Sequence, residues 1–103
     1  MRNLRRDEPS VKYIKAKWLT ASSDDPVSLY SEIDDARREI RKVEVYRDGS
    51  AGWADQSHEC DSTMLGILPL PPLDEINAQI EFEAVEITPD EFESAWFSFR
   101  KSN

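Results

Sequence analysis

The sequence has little of the side-chain chemistry that enzymes and metal sites require. Its 103 residues include one cysteine, Cys60, and one histidine, His58. A single cysteine forms no internal disulfide, so the fold does not depend on an oxidising compartment. Zinc sites need three or four ligands that converge from spaced positions, whereas HECD at 58–61 is one consecutive run. This run predicts a surface loop, and we expect neither a metal nor a cofactor.

The sequence also lacks the residues required for nucleophilic catalysis and for nucleotide binding. The acids beside Cys60 disfavour the thiolate that a Cys–His nucleophile pair needs. The three glycines (Gly49, Gly52 and Gly66) are scattered, so there is no glycine-rich phosphate loop. We therefore expect no catalytic residues.

Long hydrophobic runs are also missing. No stretch approaches the roughly 20 apolar residues of a membrane span, and the start, MRNLRRDEPSVKYIKAKW, lacks the apolar centre of a secretion signal. These features predict a soluble, cytoplasmic protein with no membrane contact. A hydrophobic fraction of 39% suits one modest core. We expect a flexible basic tail at 1–10 and a single domain at 11–100.

Negative charge is abundant and unevenly placed, with a formal net charge of −8. Residues 1–17 carry six bases and two acids, a balance of +4, whereas residues 43–99 carry thirteen acids and one base, a balance of −12. Nucleic-acid binders show the reverse, because neutralising phosphates requires a basic face. The negative charge therefore predicts a protein partner with a basic surface. The alternative is that the charge serves solubility alone.

Alternating patterns predict strands in the first half of the chain. VKYIKAKWLT at 11–20 reads as a strand with Ile14, Ala16 and Trp18 on one side. Residues 29–33 and 39–46 read as a hairpin turning around DDAR at 34–37, because the second run is β-branched and ends in the turn signal Asp48-Gly49. A helical turn at 34–37, and with it a helical interpretation of 29–37, remains the alternative, since the apolar residues of 29–43 also follow helical spacing. SAGWAD at 50–55 continues as a third arm.

The second half predicts an extended proline-rich connection, a helical turn or two in LDEINA, a strand at 80–87 and a terminal helix. Thr88 and Glu91 have the spacing of a capping box, and Pro89 sits at the first helical position. The predicted fold class is α+β: an antiparallel sheet of about four or five strands with a C-terminal helix packed on one face.

The hairpin supplies the candidate partner or ligand surface. Its residues are charged or aromatic, as binding hot spots often are: Glu32, Asp34, Arg38, Arg41, Glu44 and Trp53. Each part of this interpretation has an alternative. The acids and arginines could instead neutralise one another across the strands, and Trp53 could instead pack in the core.

Five segments in order carry a resemblance: YIKAKWL, LYSEID, REIRKVEVYRDG, LGILPLPPLDEINA and ITPDEFESAW. Together they resemble a family of small bacterial domains of unknown function, over residues 11–97. The resemblance implies a compact stand-alone α+β domain and transfers no catalytic residue.

Three functions follow as hypotheses. The leading one is a non-catalytic acidic binding protein, of the immunity or antitoxin type or an inhibitor, that occludes a basic partner surface. The second is a small-ligand binder or enzyme that uses the charged cluster of the 29–47 hairpin. The third is a structural subunit of a homodimer.

Overall fold

The computed structural model describes residues 11–59 and 63–101. The predicted tail at 1–10, and Cys60 and Asp61, lie outside these residues. The described residues form six strands and two helices. The strands are β1 (Lys12–Trp18), β2 (Ser28–Ile33), β3 (Glu39–Val45), β4 (Ala51–Asp55), β5 (His58–Glu59) and β6 (Phe82–Ile87), and the helices are α1 (Leu73–Asn77) and α2 (Pro89–Lys101).

The strands form one antiparallel sheet in the order β5-β4-β3-β2-β1-β6. The predicted α+β class is confirmed, with six strands in the described residues where four or five were expected. The additional strand is β5, two residues long, within a segment predicted to be a polar loop. β6 pairs with β1, far from it in sequence, and so forms one edge of the sheet.

The hairpin is two strands, and the helical interpretation of 29–37 is wrong. β-branched and aromatic side chains suit a pleated surface that is covered on both faces. Asp34 closes the turn, because its Oδ1 accepts hydrogen bonds from the backbone N–H groups of Ala36 and Arg38, each at 2.9 Å. Arg37 lies between them at a φ of 64°, which is unusual for a residue with a Cβ.

One face of the sheet packs against α2. Phe92 and Trp96 of this helix bury Val43 at the centre of β3, and Tyr13 and Tyr30 lie around them. The helix begins as its capping box predicts: the Thr88 N–H donates to Glu91 Oε1 at 3.0 Å, and the Glu91 N–H donates to Thr88 Oγ1 at 3.1 Å.

The opposite face holds a second apolar cluster, built from the alternate residues of the same strands. Ile14, Ile33 and Ala84 are buried there beneath Ile76 of α1. Leu70 and Leu73, from the proline-rich connection and the start of α1, pack against this cluster. The sheet is therefore covered on both faces, by α2 on one side and by α1 with its preceding segment on the other.

Candidate functional site

The six candidate residues, five of the hairpin and Trp53 of β4, lie in three places. Glu32, Arg41 and Trp53 lie on the α2 face, because Glu32 is the cross-strand partner of Arg41 and Trp53 that of Val43. Glu44 lies on the opposite face. Asp34 and Arg38 lie at the turn beyond the strand ends. The strand alternation that places them prevents one pocket from using all six side chains.

Arg41 joins three elements on the α2 face. Its Nε donates to the carboxylate of Glu32 on β2, and its Nη2 donates to Glu93 Oε2 on α2 at 2.5 Å. The guanidinium carbon lies 4.9 Å from the ring centres of both Phe92 and Trp96, which is the geometry of a cation–π contact. Arg41 therefore ties the helix to the sheet.

The protonation behaviour of this cluster reflects the same contacts. Burial acts to lower the pKa of Arg41, but the hydrogen bonds to Glu93 and Glu32 outweigh it and raise that pKa. The hydrogen bond from Arg41 lowers the pKa of Glu93. Burial, followed by the nearby Glu32 carboxylate, raises the pKa of Tyr13. The Arg41 guanidinium thus has carboxylate partners on both β2 and α2.

Trp53 is half-buried between an aromatic pair. Its ring stacks on His58 with centres 3.8 Å apart and meets the edge of Trp96 at 5.4 Å. The sequence placed His58 in a polar loop beside Cys60, and the structure places it in β5 against an indole.

Glu44 is engaged on the other face by Thr63, whose hydroxyl donates to Glu44 Oε1 at 3.0 Å. Thr63 is fully buried over Gly52. A Cβ at Gly52 would come within 2.1 Å of Thr63 Oγ1, so the absence of a side chain there allows this close approach.

The charged side chains of the hairpin hold a neighbouring segment, residues 63–72, which we call the anchored loop. Arg37 Nε donates to the carbonyl of Leu70 at 2.7 Å and its Nη2 donates to the carbonyl of Pro71 at 2.8 Å. The Leu70 N–H donates back to the Arg37 carbonyl at 2.7 Å. The unusual φ of Arg37 thus belongs to a residue that binds this loop through both backbone and side chain.

Three further hairpin residues continue the attachment. Arg38 Nη1 donates to the Ile67 carbonyl at 3.0 Å, and Lys42 Nζ donates to the Met64 carbonyl at 3.0 Å. Glu39 Oε1 accepts from the Gly66 N–H at 2.6 Å. Every one of these bonds is made to the main chain of the loop, so together they set its path.

The tip of the anchored loop is apolar and exposed. Ile67 and Leu68 retain 85% and 78% of their accessible surface. Sequence reasoning treated this stretch as a connection and missed it as a surface. Two features of the sequence could have indicated it. MLGIL is an apolar run in a segment without strand or helix pattern, and the hairpin carries more charges than cross-strand pairing uses.

Acidic side chains collect in the last third of the chain. Residues 73–99 contain eight acids and no lysine or arginine. All eight are exposed. Glu93 is bonded to Arg41, and the other seven lie along α1, the edge strand β6 and the start of α2; we call these seven the acidic edge: Asp74, Glu75, Glu81, Glu83, Glu86, Asp90 and Glu91. Within the described residues, the ion pair of this set is Glu83 with Lys17, at 3.9 Å.

Two searches of the described residues are negative. Between 11–59 and 63–101, no group of three or more His, Cys, Asp or Glu side chains is arranged to hold a metal ion. In the same ranges, neither helix has the length and apolarity required to cross a membrane.

Comparison with known proteins identifies a family. Residues 12–101 match the sequence model of a family described as Domain of unknown function (DUF6881), so the chain belongs to that family. This confirms the resemblance to a small family of unknown function. Neither the curated proteins nor the solved structures contain a match to the chain.

Proposed function

We propose that this member of the DUF6881 family is a non-catalytic binding protein that covers a basic surface of another protein, in the manner of an immunity or antitoxin protein. The observation that supports this function is that bases of the hairpin are bonded within the chain, whereas the seven acids of the acidic edge are exposed. The bases Arg37, Arg41 and Lys42 bond to carbonyls and carboxylates of their own chain. The acidic edge faces solvent.

Such a distribution suits rapid recognition of a cationic protein. Surface charges of one sign steer association over distances comparable to the Debye length, about 8 Å at physiological ionic strength. They raise the association rate more than they lower the dissociation rate, and their effect weakens as salt is added. They also repel nucleic acid, so the partner we propose is a protein. We place this encounter in the cytoplasm, since the fold requires no disulfide.

The tip of the anchored loop offers apolar contacts, which the acidic edge does not provide. Binding energy at interfaces is concentrated in a few apolar or aromatic side chains that enter a pocket of the partner. Ile67 and Leu68 are exposed on a main chain that is already fixed, so burying them costs little ordering entropy. We therefore propose the loop tip as the apolar contact and the acidic edge as the electrostatic one.

A second explanation of the acidic edge is protection of the sheet. Charged residues along an edge strand discourage pairing with another sheet. This role requires the charges but no partner, so a charge-matched comparison separates the two explanations.

The experiment compares two triple variants that change the net charge equally. Glu81→Gln, Glu83→Gln and Glu86→Gln neutralise β6 and its approach, and Asp24→Asn, Asp35→Asn and Glu59→Gln neutralise exposed acids elsewhere. Each protein is immobilised and exposed to lysate of the native host at about 50 mM and 300 mM salt. Captured proteins are identified by mass spectrometry and then purified for direct binding measurements.

The proposal expects a basic protein that is captured at low salt by the wild-type chain and the control triple variant. The β6 triple variant should bind it at least about tenfold more weakly, chiefly through a slower association rate. Equal binding by both triple variants would show that the acidic edge does not recognise the partner. Failure of the wild type to capture any basic protein would overturn the proposed function.

A further inference from the structure

A cavity of about 290 Å³ lies on the sheet face that α1 covers. Leu70 and Ile76 of the covering layer and Phe82 at the start of β6 form its walls, and Ala16 and Leu29 lie on the sheet beneath. Its volume is at the lower end of the range for small-molecule pockets, about 300–1,000 Å³. Its lining is independent of the acidic edge.

The space is built into the sheet by two small residues. Ala16 is the cross-strand partner of Leu29, and Ser31 is the partner of Ile14, so the two short side chains occupy neighbouring positions on one face. The covering layer is attached to the hairpin turn beside the cavity. Arg37 holds Leu70 through backbone and side chain.

One end of the cavity is polar. Glu39, Lys42 and Ser31 line it there, and the Glu39 side chain is only 7% exposed. Glu39 Oε1 accepts from Lys42 Nζ at 3.0 Å and from the Gly66 N–H at 2.6 Å. Among the described residues, Oε2 receives one contact, from Ser31 Oγ at 3.5 Å. Hydroxyl donors normally approach to about 2.5–3.0 Å, so Oε2 retains capacity for a further donor.

We propose that this cavity binds a small neutral ligand that has an apolar body and a terminal hydrogen-bond donor, a hydroxyl or an N–H. The body contacts Leu70, Ile76 and Phe82, and the donor bonds to Glu39 Oε2. A neutral donor is favoured because Lys42 already balances the charge of Glu39, and a second buried cation would be uncompensated. A carboxylate ligand would place its acceptor oxygens against Glu39 Oε2, which is also an acceptor, so no hydrogen bond could form between them.

The probes are 1-hexanol, dipropyl ether and hexanoate. Hexanol and dipropyl ether have the same atoms, but only the alcohol is a donor, and hexanoate carries the disfavoured charge. Each is titrated into the ¹⁵N-labelled full chain and followed by amide chemical shifts. We expect saturable shifts for hexanol at Ala16, Ser31 and Gln79, with at least about tenfold weaker binding of the ether, since a hydrogen bond to a charged group is lost. Hexanoate should leave these amides unchanged.

Two variants test the two ends of the cavity. Ala16→Leu places a larger side chain in the space and should abolish the hexanol shifts, whereas Ala36→Leu, at an exposed turn position, should retain them. Glu39→Gln removes the ionised acceptor and should bring the affinities for hexanol and ether close together. The Glu39→Gln comparison decides the proposal if Ala16→Leu does not fold, as judged from its own spectrum.

The proposal is overturned by any of four results. Two concern the wild type: the absence of saturable shifts with hexanol, and equal affinities for hexanol and ether. The other two are undiminished hexanol binding by a folded Ala16→Leu variant and an undiminished preference for hexanol over ether in Glu39→Gln. Because no charged partner is involved, failure of this test leaves the acidic edge and its proposed function untouched.

Discussion

Asn77 binds the backbone of Ala84 through both ends of its side-chain amide. Its Nδ2 donates to the Ala84 carbonyl at 2.9 Å, and its Oδ1 accepts from the Ala84 N–H at 2.6 Å. These are the backbone groups that an additional strand would use, because β6 is the outermost strand on this side of the sheet. The side chain thus attaches α1 to the sheet and closes part of an edge.

We predict that Asn77→Ala lowers the free energy of unfolding by about 1–3 kcal/mol, since it leaves two half-buried backbone groups without their partner. It should also increase self-association, because the edge becomes available for pairing. Urea denaturation and light scattering over a concentration series measure the two effects, with Ser98→Ala, at an exposed position on α2, as the control. The wild-type series also tests the homodimer hypothesis, which a monomer at every concentration would end.

The Arg41 cluster predicts strong coupling between two residues. Arg41→Met should destabilise the fold by about 3 kcal/mol, because it leaves the Glu32 carboxylate buried without its partner. Glu32→Gln in the same background should recover part of that loss. A double-mutant cycle by urea denaturation should give a coupling energy of about 1 kcal/mol or more. Additive effects would show that the ion pair is not what ties these strands together.

The lowered pKa of Glu93 predicts a pH dependence of stability. A carboxyl group whose pKa is lower in the folded state stabilises the protein above its unfolded pKa, about 4.3 for glutamate. That stabilisation is lost as the pH falls through the folded pKa. Glu93→Gln should therefore flatten the decline in unfolding free energy below about pH 4.3. The effect is modest because the carboxylate is half exposed to solvent.

Chemical denaturation of the wild type and of Glu93→Gln across this pH range measures the difference. Glu59→Gln, at an exposed position on β5, is the control and should retain the wild-type curve. An acid limb of the same slope in Glu93→Gln would contradict the prediction.

The anchored loop predicts a separation of binding from stability. Replacing Ile67 and Leu68 with serine should change the unfolding free energy by no more than about 0.5 kcal/mol per site, because both side chains are exposed. The same variant should lose most of its affinity for the captured basic partner. Full affinity in the double variant would remove the loop tip from the interface.

A companion variant tests the anchors themselves. Arg37→Met removes both of its side-chain bonds to the loop and should accelerate hydrogen exchange at the Leu70 amide. Exchange at Phe92, on the other side of the sheet, serves as the internal reference. Unchanged protection at Leu70 would mean that packing alone fixes the loop.

The sequence was sufficient for the parts of the fold that depend on local chemistry. Period-two alternation located β1 and β6, the Asp48-Gly49 turn ended β3, and the Thr88 capping box started α2. The sequence predicted four or five strands, and the described residues contain six. β5 was missed because its two residues are too few to show an alternating pattern.

The candidate site depended on contacts that no local pattern encodes. Arg38 reaches a carbonyl 29 residues away, and Arg37 reaches carbonyls 33 and 34 residues away. Cross-strand pairing explained Glu32 with Arg41, but Arg38 holds a distant main chain. Asp34 closes its own turn, and Glu44 accepts from the Thr63 hydroxyl. The sequence offered these charged residues as a candidate partner or ligand surface, or as charges that neutralise one another across the strands. Much of their bonding capacity is used within the chain.

The hydrogen bonds between the hairpin and residues 64–71 of the anchored loop are all made to peptide groups of the loop. Bonds to carbonyl oxygens and to the N–H groups of Gly66 and Leu70 do not depend on the identity of the side chains at the tip. Residues 67 and 68 can therefore be replaced by other residues without a change in the path of the loop. New specificities are then open to this scaffold without any rebuilding of its two apolar clusters.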